Sequence, residues 1–346
     1  MSFRYKFVPQ MEVYDKMKID WKPYIMHFNQ ANFKSKVLNT DNFGLRFNNS
    51  SNKKKKFIFE EKIFPKKRKA AIIGSSTAFG VGASKDENSI SAQLSKKTDY
   101  HFFNISGKAF SGFQETILFQ SLMEKIGKIE KIVIFSGIND IFMQNYIKGF
   151  DEILGPFFFN DSYDEAMNSY ALDWKRESLR ILLSPFLPKK INWSNISKGE
   201  LKKLIFASKN QNISKKISNI NSLNQRNLKF WSLIQKSMKI KITFVLQPLF
   251  SWCEKEFSGE EKIIFNELDN ASVKTFSVLK QLDKKKNYKN YSSNLKNICN
   301  KFNIKFIDSN ELIKKNKLDK EWLFVDRIHL TDLGYKLISE FLCKKI

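Results

Sequence analysis

The sequence predicts an α/β fold built on a parallel sheet, and three observations carry that expectation. Short apolar runs of strand length recur at residues 70–73, 100–104, 131–135, 240–246 and 304–307, and segments with apolar residues at helical spacing alternate with them. The first run, Ala70-Ala-Ile-Ile73, is continuously apolar and stops at Gly74, as a parallel strand buried on both faces requires. No repeat of fixed period and no Gly/Ser linker interrupts the alternation, so right-handed crossovers joining successive parallel strands are the simplest topology.

In chain order, residues 1–66 form a polar lead-in dotted with aromatic residues, an N-terminal extension to a domain spanning 67–346. The strand at 70–73 is followed by a turn of small residues and a helix around 89–94. A second strand occupies 100–104, and residues 114–126 place Ile117, Leu118, Leu122 and Ile126 on one helical face ahead of the strand at 131–135. The interval from about 141 to 226 breaks the rhythm and reads as a mostly helical insertion rich in Phe, Tyr and Trp. Its stripe Phe142, Tyr146 and Phe150 reads first as packed core, with a lid for an acyl chain or a stacking surface for sugar rings as the alternative. An amphipathic helix at 228–238, the last two strands and a closing helix after residue 329 complete the pattern.

With 346 residues, 42% of them hydrophobic, the chain can bury a full core. Its net charge of +25 raises nucleic acid or an anionic membrane as partners. Composition argues against nucleic acid: only seven of the 60 basic residues are Arg, the residue favoured for bidentate phosphate and base contacts. Transient contact with an anionic membrane surface stays open. The clusters Lys53 to Lys56 and Pro65-Lys-Lys-Arg-Lys69 stand out, and the second runs directly into an apolar strand, as a solvated strand start would. No apolar stretch approaches the roughly 18 residues that cross a bilayer, and no apolar run follows the first charges, so a soluble, cytoplasmic protein is expected. Three widely spaced cysteines (Cys253, Cys299, Cys343) match neither a disulfide framework nor a metal site and fit a reducing compartment. Oligomeric state is not legible.

In doubly wound sheets ligands bind at the carboxyl ends of the strands. Here the first three strands end in Gly74-Ser-Ser-Thr-Ala-Phe-Gly-Val-Gly82, Asn104-Ile-Ser-Gly-Lys-Ala-Phe-Ser-Gly-Phe-Gln114 and Ser136-Gly-Ile-Asn-Asp140, and Asp326-Arg-Ile-His329 stands near the C-terminus. A serine needs a base to become a nucleophile, and the chain has three histidines. His101 lies inside a strand, where a packed role is expected, and His27 lies in the lead-in, far in sequence from any strand end. His329 alone has a carboxylate three residues earlier, so Asp326 can reach one ring nitrogen and leave the other for Ser76. Backbone N–H groups of the strand-end turns and the Asn139 amide could then hold an oxyanion.

These four pieces, in this order and near these separations, resemble the blocks of the SGNH (GDSL-like) hydrolases: Gly-Asp-Ser, a block-two glycine, Gly-X-Asn-Asp and Asp-X-X-His. The resemblance, with the strand pattern, spans roughly residues 67–140 and 228–346. It implies a three-layer α/β/α flavodoxin-like fold with a central parallel sheet of about five strands. It also implies Ser76 as nucleophile, Asp326 and His329 as its partners, and an oxyanion hole formed by the Ser76 N–H, a block-two N–H and Asn139. Two positions depart from the pattern. Ser75 replaces the usual Asp, and Ala109 falls where the block-two glycine is expected, with Gly107 as the fallback donor. The implied activity is that of a serine esterase hydrolysing O-acetyl or other short O-acyl esters on a carbohydrate or lipid-like substrate with no metal or organic cofactor, or alternatively an O-acyltransferase acting on a sugar hydroxyl. The segment Thr40-Asp-Asn-Phe-Gly-Leu-Arg46 is similar to one preceding the catalytic domain in some SGNH proteins of bacterial surface-polysaccharide biosynthesis, which tilts the substrate toward acylated glycans. Each block alone reads as an ordinary turn or helix cap. A basic binding protein that merely retains the fold is the competing reading.

Overall fold

The computed structural model describes residues 2–61, 67–146, 213–270, 285–315, 318 and 320–346. Two short helices, α1 (Phe3–Phe7) and α2 (Gln10–Lys16), lead into an antiparallel pair, β1 (Ile19–Lys22) and β2 (Met26–Asn29). Then come β3 (Arg68–Gly74), α3 (Ser76–Phe79), α4 (Ile90–Lys97), β4 (Tyr100–Ser106), α5 (Gly112–Ile126), β5 (Lys131–Ser136) and α6 (Asn139–Tyr146). The order continues with α7 (Ile213–Met238), β6 (Lys241–Leu246), α8 (Gly259–Asn270), α9 (Lys285–Lys301), β7 (Lys305–Asp308), α10 (Ser309–Lys315) and α11 (Asp332–Cys343).

The last five strands form one sheet in the order β4-β3-β5-β6-β7, and every pairing within it is parallel. Counted within the sheet this is 2-1-3-4-5, the flavodoxin-like doubly wound order, whose direction of winding reverses between β3 and β5. Alternate strand residues face opposite layers, and both layers are packed. Ala71, Ile73, Phe103, Ile132, Ile134 and Ile242 join α5, α7 and α9 through Leu118, Trp231 and Tyr291. Ala70, Ile72, Phe102, Val133, Phe135 and Val245 join α4, α8 and α11 through Leu94, Ile264 and Ile338. The expected α/β/α sandwich is therefore present, and each strand runs within three residues of its expected bounds. The helix expected at 228–238 starts earlier, at Ile213. Phe142 is buried in the core, whereas Phe150 and most of the aromatic insertion lie outside the described residues.

Local signals explain several boundaries. The Ser89 hydroxyl accepts from Ala92 N to cap α4, and Ser111 and Gln114 form a reciprocal capping box on α5. Thr331 caps α11 by accepting from Gly334 N. Arg68 and Lys69 are exposed at the start of β3, the solvated strand start read from the basic run. Cys253, Cys299 and Cys343 are free thiols.

The lead-in packs against the sheet through a buried polar lattice. Asp41 Oδ1 accepts from Phe43, Gly44 and Leu45 N, and its Oδ2 from Ile58 N. Arg46, fully buried, donates from Nε to Asp86 Oδ1 (3.0 Å) and from Nη1 to the Tyr14 hydroxyl and the carbonyls of Phe79 and Gly80. Those two carbonyls lie at the carboxyl end of α3, so the lead-in braces the helix that begins at Ser76.

Candidate active site

The direction of winding reverses between β3 and β5, where crossovers leave the sheet on opposite sides and open a crevice at the carboxyl edge. Gly74 ends β3 there under tight constraint, since a Cβ on it would lie 2.2 Å from the Phe135 carbonyl oxygen. The chain turns at Ser75 and enters α3 at Ser76, whose N–H belongs to the unpaired first turn of the helix. Tyr14 and Tyr335 fix the following turn: Tyr14 OH donates to the Gly80 and Ala83 carbonyls, and Tyr335 OH to those of Thr77 and Val81.

On the segment before α11, Asp326 folds back on itself. Its Oδ1 accepts from Ile328 N (2.9 Å) and His329 N (2.8 Å), which leaves Oδ2 for the His329 ring at 2.8 Å from Nδ1. A bridge between Phe324 and Leu330 closes the loop. His329 Nε2 lies 2.8 Å from Ser76 Oγ, across 253 residues of sequence. With Nδ1–H donated to the carboxylate, Nε2 is the acceptor for the serine hydroxyl. Burial alone would raise the Asp326 carboxyl; the His329 ring beside it, its hydrogen bonds and the Arg4 guanidinium hold it far below the usual carboxylate range. Asp326 is buried, while Ser76 and His329 remain partly open to solvent, so a substrate can reach the serine. Ser75, the neighbouring candidate, is fully buried and its hydroxyl has no partner.

The oxyanion-hole candidates Ala109 and Asn139 lie after β4 and β5. Gly107 N–H is already donated to the Gly74 carbonyl at 3.2 Å, which continues the β3–β4 ladder and removes it as a donor. Ala109 has φ +57°, left-handed backbone that costs a residue with a Cβ about 1–2 kcal/mol and comes freely to glycine. The position therefore has backbone that favours glycine although it holds alanine. Asn139 opens α6; its Nδ2 donates one hydrogen to the Phe110 carbonyl (2.9 Å) and retains a second. The next residue ties the two loops together: both Asp140 carboxylate oxygens accept from Gly112 N, at 3.1 and 3.2 Å. Burial raises Asp140 to about 6, against the pull of that N–H and of Arg226.

Of the other histidines, His101 is buried and pairs with Glu61 (3.0 Å). His27, far from the strand ends in sequence, is in space packed against the block-two loop, its Nε2 3.0 Å from the Lys108 carbonyl and its ring edge-on to Phe110. Burial pulls it down to about 4 despite backbone bonds to Lys108 and Ala109, so it stays neutral. Sequence reasoning also missed Arg4, whose Nη2 is 3.6 Å from Asp326 Oδ2, and half-buried Lys108, whose ammonium burial lowers to about 8. A lone Arg and Lys in a Lys-rich chain carry no motif that could have flagged them.

No protein-family profile matches the chain, and no curated protein does. Several solved structures are similar to it over most of its length, at low identity. They include the acetyl xylan esterase AlAXEase, 12% identical over 80% of this chain and 99% of that one, with a TM-score of 0.39. A member of the lipolytic protein G-D-S-L family from Veillonella parvula is 12% identical over 81% and 98%, with a TM-score of 0.39. A catalytic mutant of an acetylxylan esterase from Geobacillus stearothermophilus is 12% identical over 82% and 96%, also with a TM-score of 0.39. No helix among the described residues is long and apolar enough to cross a membrane.

Proposed function

We propose that the protein is a serine esterase acting on O-acyl esters through an acyl-serine intermediate, with Ser76, His329 and Asp326 as its catalytic triad. The observation that carries this reading is His329, held 2.8 Å from both Ser76 Oγ and Asp326 Oδ2 at the carboxyl edge of the sheet. His329 Nε2 takes the Ser76 proton as Oγ bonds to the ester carbonyl carbon, and the carbonyl electron pair moves onto oxygen. The Ser76 and Ala109 N–H groups and the second hydrogen of Asn139 Nδ2 stabilise that oxyanion. Collapse breaks the bond to the alkoxide, which leaves with the proton held by His329. Water, deprotonated by the same imidazole, releases the acid. No step calls for a metal or organic cofactor.

The acyl group is taken to be acetyl or another short chain, borne by a carbohydrate. The resemblance of the segment Thr40 to Arg46 to glycan-associated relatives supports this choice. An O-acyltransferase would share the first half of the reaction and pass the acyl group to a sugar hydroxyl instead of water. The test is turnover of short-chain nitrophenyl esters and labelling by a fluorophosphonate, in wild type and in Ser76→Ala and His329→Ala. Both signals should be present in wild type and lost in both variants; added sugar acceptors then reveal whether the acyl group is diverted. A folded wild type that neither labels nor turns over would overturn the reading. In that event, salt-sensitive binding that ignores Ser76→Ala would point to the basic binding protein.

A further inference from the structure

Arg4 is far from the motif residues in sequence, yet Asp326 Oδ2 is shared between two partners, His329 Nδ1 at 2.8 Å and Arg4 Nη2 at 3.6 Å. The second distance is too long for a hydrogen bond and short enough for a strong charge interaction. Arg4 is held in place from three sides. Its backbone N–H donates to Glu267 Oε2 on α8 (2.8 Å), and its Nη1 reaches Asp15 Oδ2 on α2 (2.5 Å), an oxygen that also accepts from Tyr5 OH (3.0 Å). Its side chain is only 12% exposed. A line of groups, Asp15, Arg4, Asp326, His329 and Ser76, thus runs from the lead-in to the nucleophile.

We propose that Arg4 is a positioning residue of the triad, holding the Asp326 carboxylate against His329 and placing beside that pair a fixed positive charge that opposes the imidazolium. This rests on the esterase reading for its catalytic meaning, though not for its electrostatics. A guanidinium keeps its charge at every accessible pH, so the bias is permanent. The other charged or titratable groups facing this line are Tyr5 on α1, Glu12 on α2, Glu267 on α8, Lys108 on the block-two loop and Tyr335 on α11. Arg327 is paired with Asp269 at 2.9 Å. Of these groups, Arg4 alone joins an acidic partner on the lead-in to the Asp326 carboxylate.

The experiment follows the His329 ring by NMR through a pH titration in wild type, Arg4→Ala, Arg4→Lys and Asp15→Asn. Signals of the other two histidines are assigned with His27→Gln and His101→Gln. Removing the cation should raise the His329 midpoint by about one pH unit, the lower end of what a charge 4–6 Å away produces because Asp15 offsets part of it. Removing the Asp15 anion should move the midpoint the other way, and Arg4→Lys should stay near wild type. The acidic limb of kcat/KM should follow the same signs. A purely structural Arg4 would give no sign reversal between Arg4→Ala and Asp15→Asn. Shifts under about 0.2 pH unit in both, or of equal sign, overturn the proposal. If Arg4→Ala does not fold, the direction of the Asp15→Asn shift decides alone. Absent fluorophosphonate labelling sinks the esterase reading without touching the titration, so the two failures are separable.

Discussion

Replacing Arg46 with Met tests how the lead-in supports the helix that begins at Ser76. In the native protein Arg46 neutralises Asp86 at 3.0 Å with both side chains sealed from solvent, and it also satisfies the Tyr14 hydroxyl and the Phe79 and Gly80 carbonyls. Removing one partner of a buried ion pair costs about 3–5 kcal/mol, because the other charge is left uncompensated. Asp86 would keep the backbone and side-chain N–H donations of Asn39, at 3.1 and 2.7 Å, so the lower figure applies. A loss of about 3 kcal/mol is a large part of the 5–15 kcal/mol that holds a typical protein together, and it translates to a Tm fall of roughly 6 °C at about 2 °C per kcal/mol for a chain of this size. Urea unfolding of Arg46→Met, of Asp86→Asn and of Arg46→Met/Asp86→Asn measures it. The double variant, with no buried charge left, should recover part of the loss. A single-variant cost below about 1 kcal/mol, or a double variant as costly as the two singles summed, would refute the reasoning.

Three further outcomes follow from the site. Ala109→Gly should stabilise the fold by about 0.5–1 kcal/mol in urea melts, the relief of left-handed strain less the greater freedom of glycine in the unfolded chain; destabilisation would mean that the φ of +57° is not what this turn requires. Asn139→Ala should lower ester-hydrolysis kcat about 10²–10³-fold with KM little changed, and an unaltered kcat would remove Asn139 from the oxyanion hole. His27 binds its proton only near pH 4 when folded but near 6.5 when unfolded, so its contribution is full above pH 6.5 and lost as pH falls toward 4. That loss amounts to at most about 3 kcal/mol. His27→Gln should flatten this stretch of the stability–pH curve, and an unchanged slope would assign it to other groups.

The central sheet was legible because strands buried on both faces are written as continuous apolar runs, a signal that needs no tertiary context. Ser76, Asp326 and His329 were legible for a related reason: each sits at a strand end or a tight turn whose small or capping residues mark it locally. The β1–β2 hairpin was not. Its four-residue strands mix charged and apolar residues, and their burial is decided by the loop after β4 rather than by alternation. The early start of α7 was written in Ile213, Ile217, Ile220 and Leu223 at helical spacing, but the surrounding Ser, Lys and Asn diluted it. The exclusion of Gly107 turned on a backbone hydrogen bond to Gly74, and the role of Arg4 on a contact across 322 positions; neither leaves a trace in residue identity.

The 253 residues separating Ser76 from His329 also bear on how the site is assembled. Domains form on the ribosome from the amino end at about 5–20 residues per second, so roughly 13 to 50 s pass between translation of the serine and of its base. Throughout that interval the hydroxyl is an ordinary alcohol. The contact between His329 and Ser76 forms only when the segment around His329 has left the exit tunnel and docked.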